Sequence, residues 1–271
     1  MIEKESEWIL PENLRKQEER ERKEVEDGTF DGGGDFGSYY AYFKGINLDF
    51  IKHHAVSDDQ RAIKYVKHMT YLLQKYDLKI EGNVIDIGCA IGTISNGINI
   101  LNKNGKTYGL DISEDAIEVA KKKYPNCIFL NQSADNLDNF DNEYFDVIHA
   151  KEFYPFTRTN DIQYHLKYLK LFHSKLKQHG FVVLNMVALN KGFCNTYDNL
   201  SKDLSDIGYA PIRRYTMIPQ KIFTLLGKLS YNKLFYPILL LTCQMLFVIN
   251  KRLSKRSWRW RFKYFYILTK K

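Results

Sequence analysis

Asp86, Gly88, Ala90 and Gly92, within Asn83-Val-Ile-Asp-Ile-Gly-Cys-Ala-Ile-Gly-Thr-Ile-Ser95, have the residue types and spacing of a ligand-binding turn. Small residues at its first, third and fifth positions let the backbone approach a ligand closely, and the first amides of a following helix supply donors. Asp111 lies about 20 residues beyond the turn, where a carboxylate at the end of the next strand can accept both hydroxyls of a ribose. The chemistry implied is recognition of a nucleoside-like group. A nicotinamide-binding turn wants glycines at positions one, three and six; Ala90 stands at three and Thr93 at six, so the spacing favours a different cofactor.

Such residues need a strand-turn-helix unit to hold them. Val84, Ile85 and Ile87 read as a short strand buried on both faces. Before it, Asp58 or Asp59 can cap a helix that carries Ile63, Val66, Met69, Leu72 and Leu73 on one face. After it, the pattern predicts a helix from Ile91 to about Leu101, a strand Lys106 to Asp111, a helix 114 to 123 and a strand Cys127 to Leu130. A strand from Phe145, a helix from Asp161 to Lys177, a strand reaching Met186 and another near Arg213 to Ile218 continue the alternation. Trp258, Trp260, Phe262, Tyr264 and Tyr266 then alternate with Arg259, Arg261 and Lys263, the period of a last strand with one face packed and the other charged. RNA binding is a second reading of that aromatic-basic stretch.

Five strand-helix alternations behind this turn resemble the class I S-adenosylmethionine-dependent methyltransferases, of the methyltransferase-domain 11 or 25 type, over roughly residues 60 to 218 and again at about 260 to 269. Asp86 matches the acid of that family's first motif, and Gly88, Ala90 and Gly92 match its loop. The resemblance implies a Rossmann-like, seven-stranded, mostly parallel α/β sheet with an antiparallel last strand and helices on both faces. It also implies S-adenosyl-L-methionine as cofactor and S-adenosyl-L-homocysteine as product. Asp86, Gly88, Cys89, Ala90, Gly92, Asp111, Ile112, Ser133, Ala134, Asp135 and Lys151 are the cofactor-binding positions it assigns. Among them, Asp135 would meet the adenine amino group and the Ala134 amide the ring nitrogen. Many relatives carry a His a few residues after the fourth strand; Phe156 stands there in this chain. The candidates for a base become Glu152, His149, and His53 or His54 from the segment before the first strand.

The reaction so implied is displacement at a sulfonium methyl by an oxygen, nitrogen or carbon nucleophile. The sulfonium already makes a good leaving group, so the protein mainly aligns donor and acceptor and excludes water. An alcohol acceptor also needs a base. Glu152-Phe-Tyr-Pro-Phe is a poor match to the target-base motif of DNA methyltransferases, which favours a small molecule over nucleic acid. A phosphorylated or nucleotide-linked sugar, as in bacterial surface-polysaccharide tailoring, suits a basic protein with a tyrosine-rich lid. A lipid or quinone acceptor at a membrane, and a non-catalytic RNA- or protein-binding module on the same fold, are the competing readings.

The remaining segments are appendages to that core, which gives two parts: a charged arm and aromatic lid over 1–57, and a cofactor-binding domain over 58–271. Residues 1 to 27 are rich in Glu, Lys and Arg and read as a solvated helical arm, and the glycines of 28–38 as a flexible loop. Tyr39, Tyr40, Tyr42, Phe43 and Phe50 read equally as a lid over a ligand or as cover for a sheet edge. An insertion over about 219–257 contains Phe235 to Ile249, nearly all apolar but about 15 residues long, short of the roughly 20 that span a bilayer. It reads first as a buried helical subdomain or homodimer face, and second as a peripheral membrane contact. The net charge of +8 sits largely in the later part of the chain. Cys89, Cys127, Cys194 and Cys243 show no paired spacing, and the first residues lack the pattern of a signal peptide. Those features predict a reduced, cytoplasmic protein without a structural metal; the frequent Lys, Asn, Ile and Tyr suit an AT-rich bacterial source.

Overall fold

The computed structural model describes Lys16, residues 48–153, 156, 162–187, 200–211, 213–216 and 263–271, and positions 234, 235, 237–239, 241, 242 and 245; at 48–58, 61, 186, 187, 201, 214, 216, 263 and 264 it describes the backbone alone. The arm, the glycine loop, the tyrosine lid, the side chains of His53 and His54, and most of the insertion lie outside the described residues.

The elements are α1 (Leu48–Gln74), β1 (Val84–Ile87), α2 (Thr93–Leu101), β2 (Thr107–Asp111), α3 (Glu114–Lys123), β3 (Ile128–Asn131), β4 (Phe145–Lys151), α4 (Ile162–Lys175), β5 (Leu176–Val187), α5 (Ser201–Ile207), β6 (Arg213–Thr216) and β7 (Lys263–Thr269). They form one seven-stranded sheet in the order β3-β2-β1-β4-β5-β7-β6. Strands β3 to β5 pair in parallel, and β7 runs antiparallel to both β5 and β6. The chain moves outward from β1 to β3 and then returns to place β4 on the other side of β1, which opens a crevice at the carboxyl ends of these strands.

Period-two alternation divides the core. Ile85 and Ile87 of β1, Ile148 and Ala150 of β4, and Val182 and Leu184 of β5 pack with Leu166, Leu169 and Phe172 of α4 and Leu204 of α5. Val84, Val147 and Val183, one position away, pack on the opposite face with Val66, Met69, Leu72 and Leu73 of α1 and Ile98 of α2. A third cluster under α3 joins Ile117 and Ala120 to Cys89, Cys127 and Phe129.

One expectation is corrected. Helix α1 begins at Leu48 and crosses the boundary expected at 57, so neither Asp58 nor Asp59 caps it. No Gly or Pro interrupts 48–58, and Asp59 instead accepts hydrogen bonds from Lys123 Nζ and the Tyr124 hydroxyl. Arg259, Arg261 and the Lys263 side chain, which carried the expected charged face of the last strand, lie outside the described residues; within β7, Phe265, Tyr266, Ile267 and Leu268 are buried on both faces, because the strand lies inside the sheet rather than at its edge.

Candidate active site

The turn between β1 and α2 holds three residues in left-handed backbone conformations: Gly88 (φ 70°), Ala90 (φ 48°) and Gly92 (φ 77°). For Ala90 this costs about 1–2 kcal/mol, which its surroundings must offset. They do so directly: the Ala90 amide donates to Asp111 Oδ2 at 2.8 Å. Leu110 O accepts from the amides of Gly88 (2.8 Å) and Cys89 (3.0 Å), and Cys89 O accepts from Gly92 (2.9 Å), so the turn is stitched to the end of β2. A Cβ at Gly92 would sit 2.5 Å from the Phe129 ring. The amides of Gly88, Cys89, Ala90 and Gly92 are therefore consumed internally, and the first turn of α2 supplies further donors.

Asp111 is buried, 7% exposed, and each carboxylate oxygen takes one backbone amide, Oδ1 that of Ser113 at 3.0 Å and Oδ2 that of Ala90. Burial, with a smaller push from the Asp86 charge, raises its pKa above the ordinary value against the pull of the Ser113, Ala90 and Ile112 amides. Ser113, not Asp111, caps α3, accepting from the Ala116 amide at 3.3 Å. The neighbouring Ile112 side chain is 56% exposed.

Asp86 and His149 are register partners across β1 and β4, and the pleat turns both towards α1. Asp86 Oδ2 accepts from the Ser95 hydroxyl at 2.7 Å, and His149 Nδ1 lies 2.7 Å from Oδ1. Because a carboxylate only accepts, Nδ1 carries the proton. His149 Nε2 is 2.8 Å from the hydroxyl of Tyr65 on α1. Burial first, then the charges of Asp86 and Glu152, hold the Tyr65 pKa well above its usual value, so that hydroxyl keeps its proton. Asp86 is 2% exposed and His149 fully buried. Asp86 braces the turn from beneath through Ser95 of α2, and both ring nitrogens of His149 are engaged, by Asp86 and by Tyr65. The Cys89 side chain packs under α3 with Ile117 and Ala120, while its backbone lies in the turn.

Lys151 and Glu152 end β4 on the other side of β1. Glu152 adopts φ 50° while its amide donates to Asn185 O at 2.6 Å, and its side chain, about one-third exposed, lies 3.4 Å from Lys151 Nζ. A non-glycine residue held in that region is a form of strain that clusters at functional sites. Lys151 Nζ stands 5.8 Å from the Tyr65 ring centre. After β3, Ser133 and Asp135 are exposed and Ala134 is buried; Asp135 lies 3.8 Å from Lys167. Phe156 is 1% exposed in the core and offers no base.

Residues 78–227 match a family model described as a methyltransferase domain. The chain belongs to that family. The fold agrees: a SAM-dependent methyltransferase from Archaeoglobus fulgidus superposes with a TM-score of 0.50 and 20% identity, covering 77% of this methyltransferase-family chain and 94% of that one. Phosphoethanolamine N-methyltransferase 2 of Haemonchus contortus, solved with phosphomonomethylethanolamine and S-adenosylhomocysteine, matches at a TM-score of 0.44 and 15% identity over 72% of this chain and 49% of that one. Protein 235L of Invertebrate iridescent virus 6, provisionally named a methyltransferase, is 38% identical over 87 residues. The chain spans about a third of that curated relative's length, the match covering 31% of each. That relative is viral, not bacterial.

Within this methyltransferase domain the structure brings together Gly88, Ala90, Gly92, Asp111 and Ile112 at one carboxyl edge, with 133–135 beside them and Lys151 and Glu152 across β1. Sequence reasoning missed Tyr65, Ser95 and Phe153. A polar-tipped ring amid the apolar face of α1 was the available sign for Tyr65; Ser95 and Phe153 gave none. Phe153 approaches within 3.0 Å of where a Gly88 Cβ would stand and packs on Phe156 and Tyr168, forming the apolar wall of the crevice.

Proposed function

We propose that this methyltransferase domain binds S-adenosyl-L-methionine at the carboxyl edge of β1 and β2 and transfers its methyl group to an oxygen or nitrogen of a small molecule. The observation that carries the reading is Asp111. A buried carboxylate, fixed by one amide on each oxygen, keeps a lone pair on each for the two ribose hydroxyls, and the exposed Ile112 offers an apolar surface to the adenine. When bound, the cofactor supplies an electrophilic methyl on a good leaving group. Gly88 and the first amides of α2 admit its polar tail closely, and Phe153 and the packed turn exclude water. Glu152 is the described carboxylate placed to take a proton from an alcohol acceptor; a nitrogen acceptor needs no strong base.

The acceptor we favour is a phosphorylated or nucleotide-linked sugar, supported by Lys151 at the rim, beside Glu152. Calorimetry should give micromolar-range binding of S-adenosylhomocysteine, lost in Asp111→Ala and in Gly88→Val, the latter because a branched side chain meets both φ 70° and Phe153. Unchanged binding in both folded variants would remove the site. Transfer of labelled methyl into a nucleotide-sugar fraction supports the acceptor class, and transfer only into RNA or lipid overturns it.

A further inference from the structure

The charge of this chain is divided sharply. Beyond Asp206 there is no acidic residue, while 14 Lys and Arg occupy the last 65 positions. Residues 1–206 hold the other 26 basic residues against 32 acidic ones and are net negative. The basic part also contains the most exposed aliphatic surface among the described residues. Leu234 (84% exposed), Ile238 (61%), Leu241 (62%) and Met245 (59%) recur at intervals of four, three and four, one stripe of a helix. The described residues between 235 and 245 are helical, and the Thr242 hydroxyl donates to Ile238 O at 2.9 Å in keeping with this. Leu239 packs on the α1-side core, so the stripe faces away from the protein.

We propose that this stripe is a docking surface for an anionic lipid bilayer, into whose interface Leu234, Ile238, Leu241 and Met245 insert while neighbouring Lys and Arg hold the headgroups. Charge complementarity selects that occupant. By sequence, Lys228 and Lys233 precede the stripe and Lys251, Arg252, Lys255 and Arg256 follow it, with Trp258 and Trp260 beyond, residue types that settle at a membrane interface. A second copy would bring two segments of the same positive sign together. An RNA would find aliphatic side chains where it needs planar stacking partners. Among the described residues no helix is long and apolar enough to cross a membrane, so the contact lies in the surface plane. It does not depend on the acceptor or on cofactor binding.

Flotation of the full chain with vesicles tests the proposal. The chain should float with phosphatidylcholine and phosphatidylglycerol mixed about 2:1, not with phosphatidylcholine alone, and less as salt rises. Ile238→Ser/Leu241→Ser should weaken partitioning about tenfold or more, and Lys255→Glu/Arg256→Glu should do the same. Circular dichroism and a melting curve check that each variant folds. If the apolar variant does not, the charge-reversal variant decides. Equal flotation of folded variants overturns the docking surface, as does no flotation of the parent. It is also overturned by binding to homopolymer RNA without vesicle binding, or by a lipid-free dimer in light scattering that Ile238→Ser/Leu241→Ser converts to monomer.

Discussion

Asp86 is the residue on which the turn rests, buried beneath it and tied to α2 through Ser95. A carboxylate this deeply buried is tolerable only because Ser95 and His149 occupy its two oxygens, and His149 in turn is held by Tyr65. Breaking such a set from one side is costlier than dismantling it. His149→Phe leaves Asp86 Oδ1 and the Tyr65 hydroxyl without their partner and should lower unfolding stability by about 3–5 kcal/mol. Replacing both members, Asp86→Leu/His149→Phe, should restore part of that loss, a non-additivity that two groups in contact must show. Urea titrations of the single and double variants measure it. A single-variant loss below about 1 kcal/mol would mean that the network contributes no more than an exposed hydrogen bond.

Helix α1 lays a second titratable ring against the sheet. His68 is fully buried, stacked on Phe265 with ring centres 5.4 Å apart, and burial lowers its pKa from 6.5 to about 3. The unfolded chain takes up that proton near 6.5, whereas the folded chain resists it until about 3. In that window the unfolded state binds more protons. The contribution is therefore complete above pH 6.5 and declines as pH falls, by about 1.4 kcal/mol per pH unit. His68→Phe should flatten the acid side of the stability curve relative to the parent; parallel curves between pH 6 and pH 4 would contradict it. Elements of this kind show what was legible. The strands were read almost to the residue, because Val84, Ile85 and Ile87 of β1 and Phe145, Val147 and Ile148 of β4 put apolar, mostly β-branched residues on both faces within a few positions. The turn and Asp111 were legible because their backbone demands are local. The start of α1 was not, since the residues of 48–58 mix charge, histidine and apolar types without a helical face. Nor was the role of Asp86, His149 and Tyr65, whose partners lie 63 and 84 positions apart and meet only through strand register.

At the scale of the molecule, β7 determines whether the two halves of the core act together. It sits between β5 and β6, so its backbone bonds on both sides, and its alternation sends Phe265 and Ile267 to the α1 face and Tyr266 and Leu268 to the α4 face. A strand shared in this way cannot leave one cluster without leaving the other, although the segments it joins are distant in sequence. Phe265→Ala and Leu268→Ala remove side chains from opposite faces, at about 3–5 and 2–5 kcal/mol respectively. If β7 couples the faces, each variant should melt in one transition, coincident by near-ultraviolet and far-ultraviolet circular dichroism, with a midpoint lower by about 10 °C. If the clusters were independent, Phe265→Ala would release the α1 side first and the two signals would separate. Separation in either variant would show that the sheet is two cooperative units and that the crevice at β1 is stabilised from one face alone.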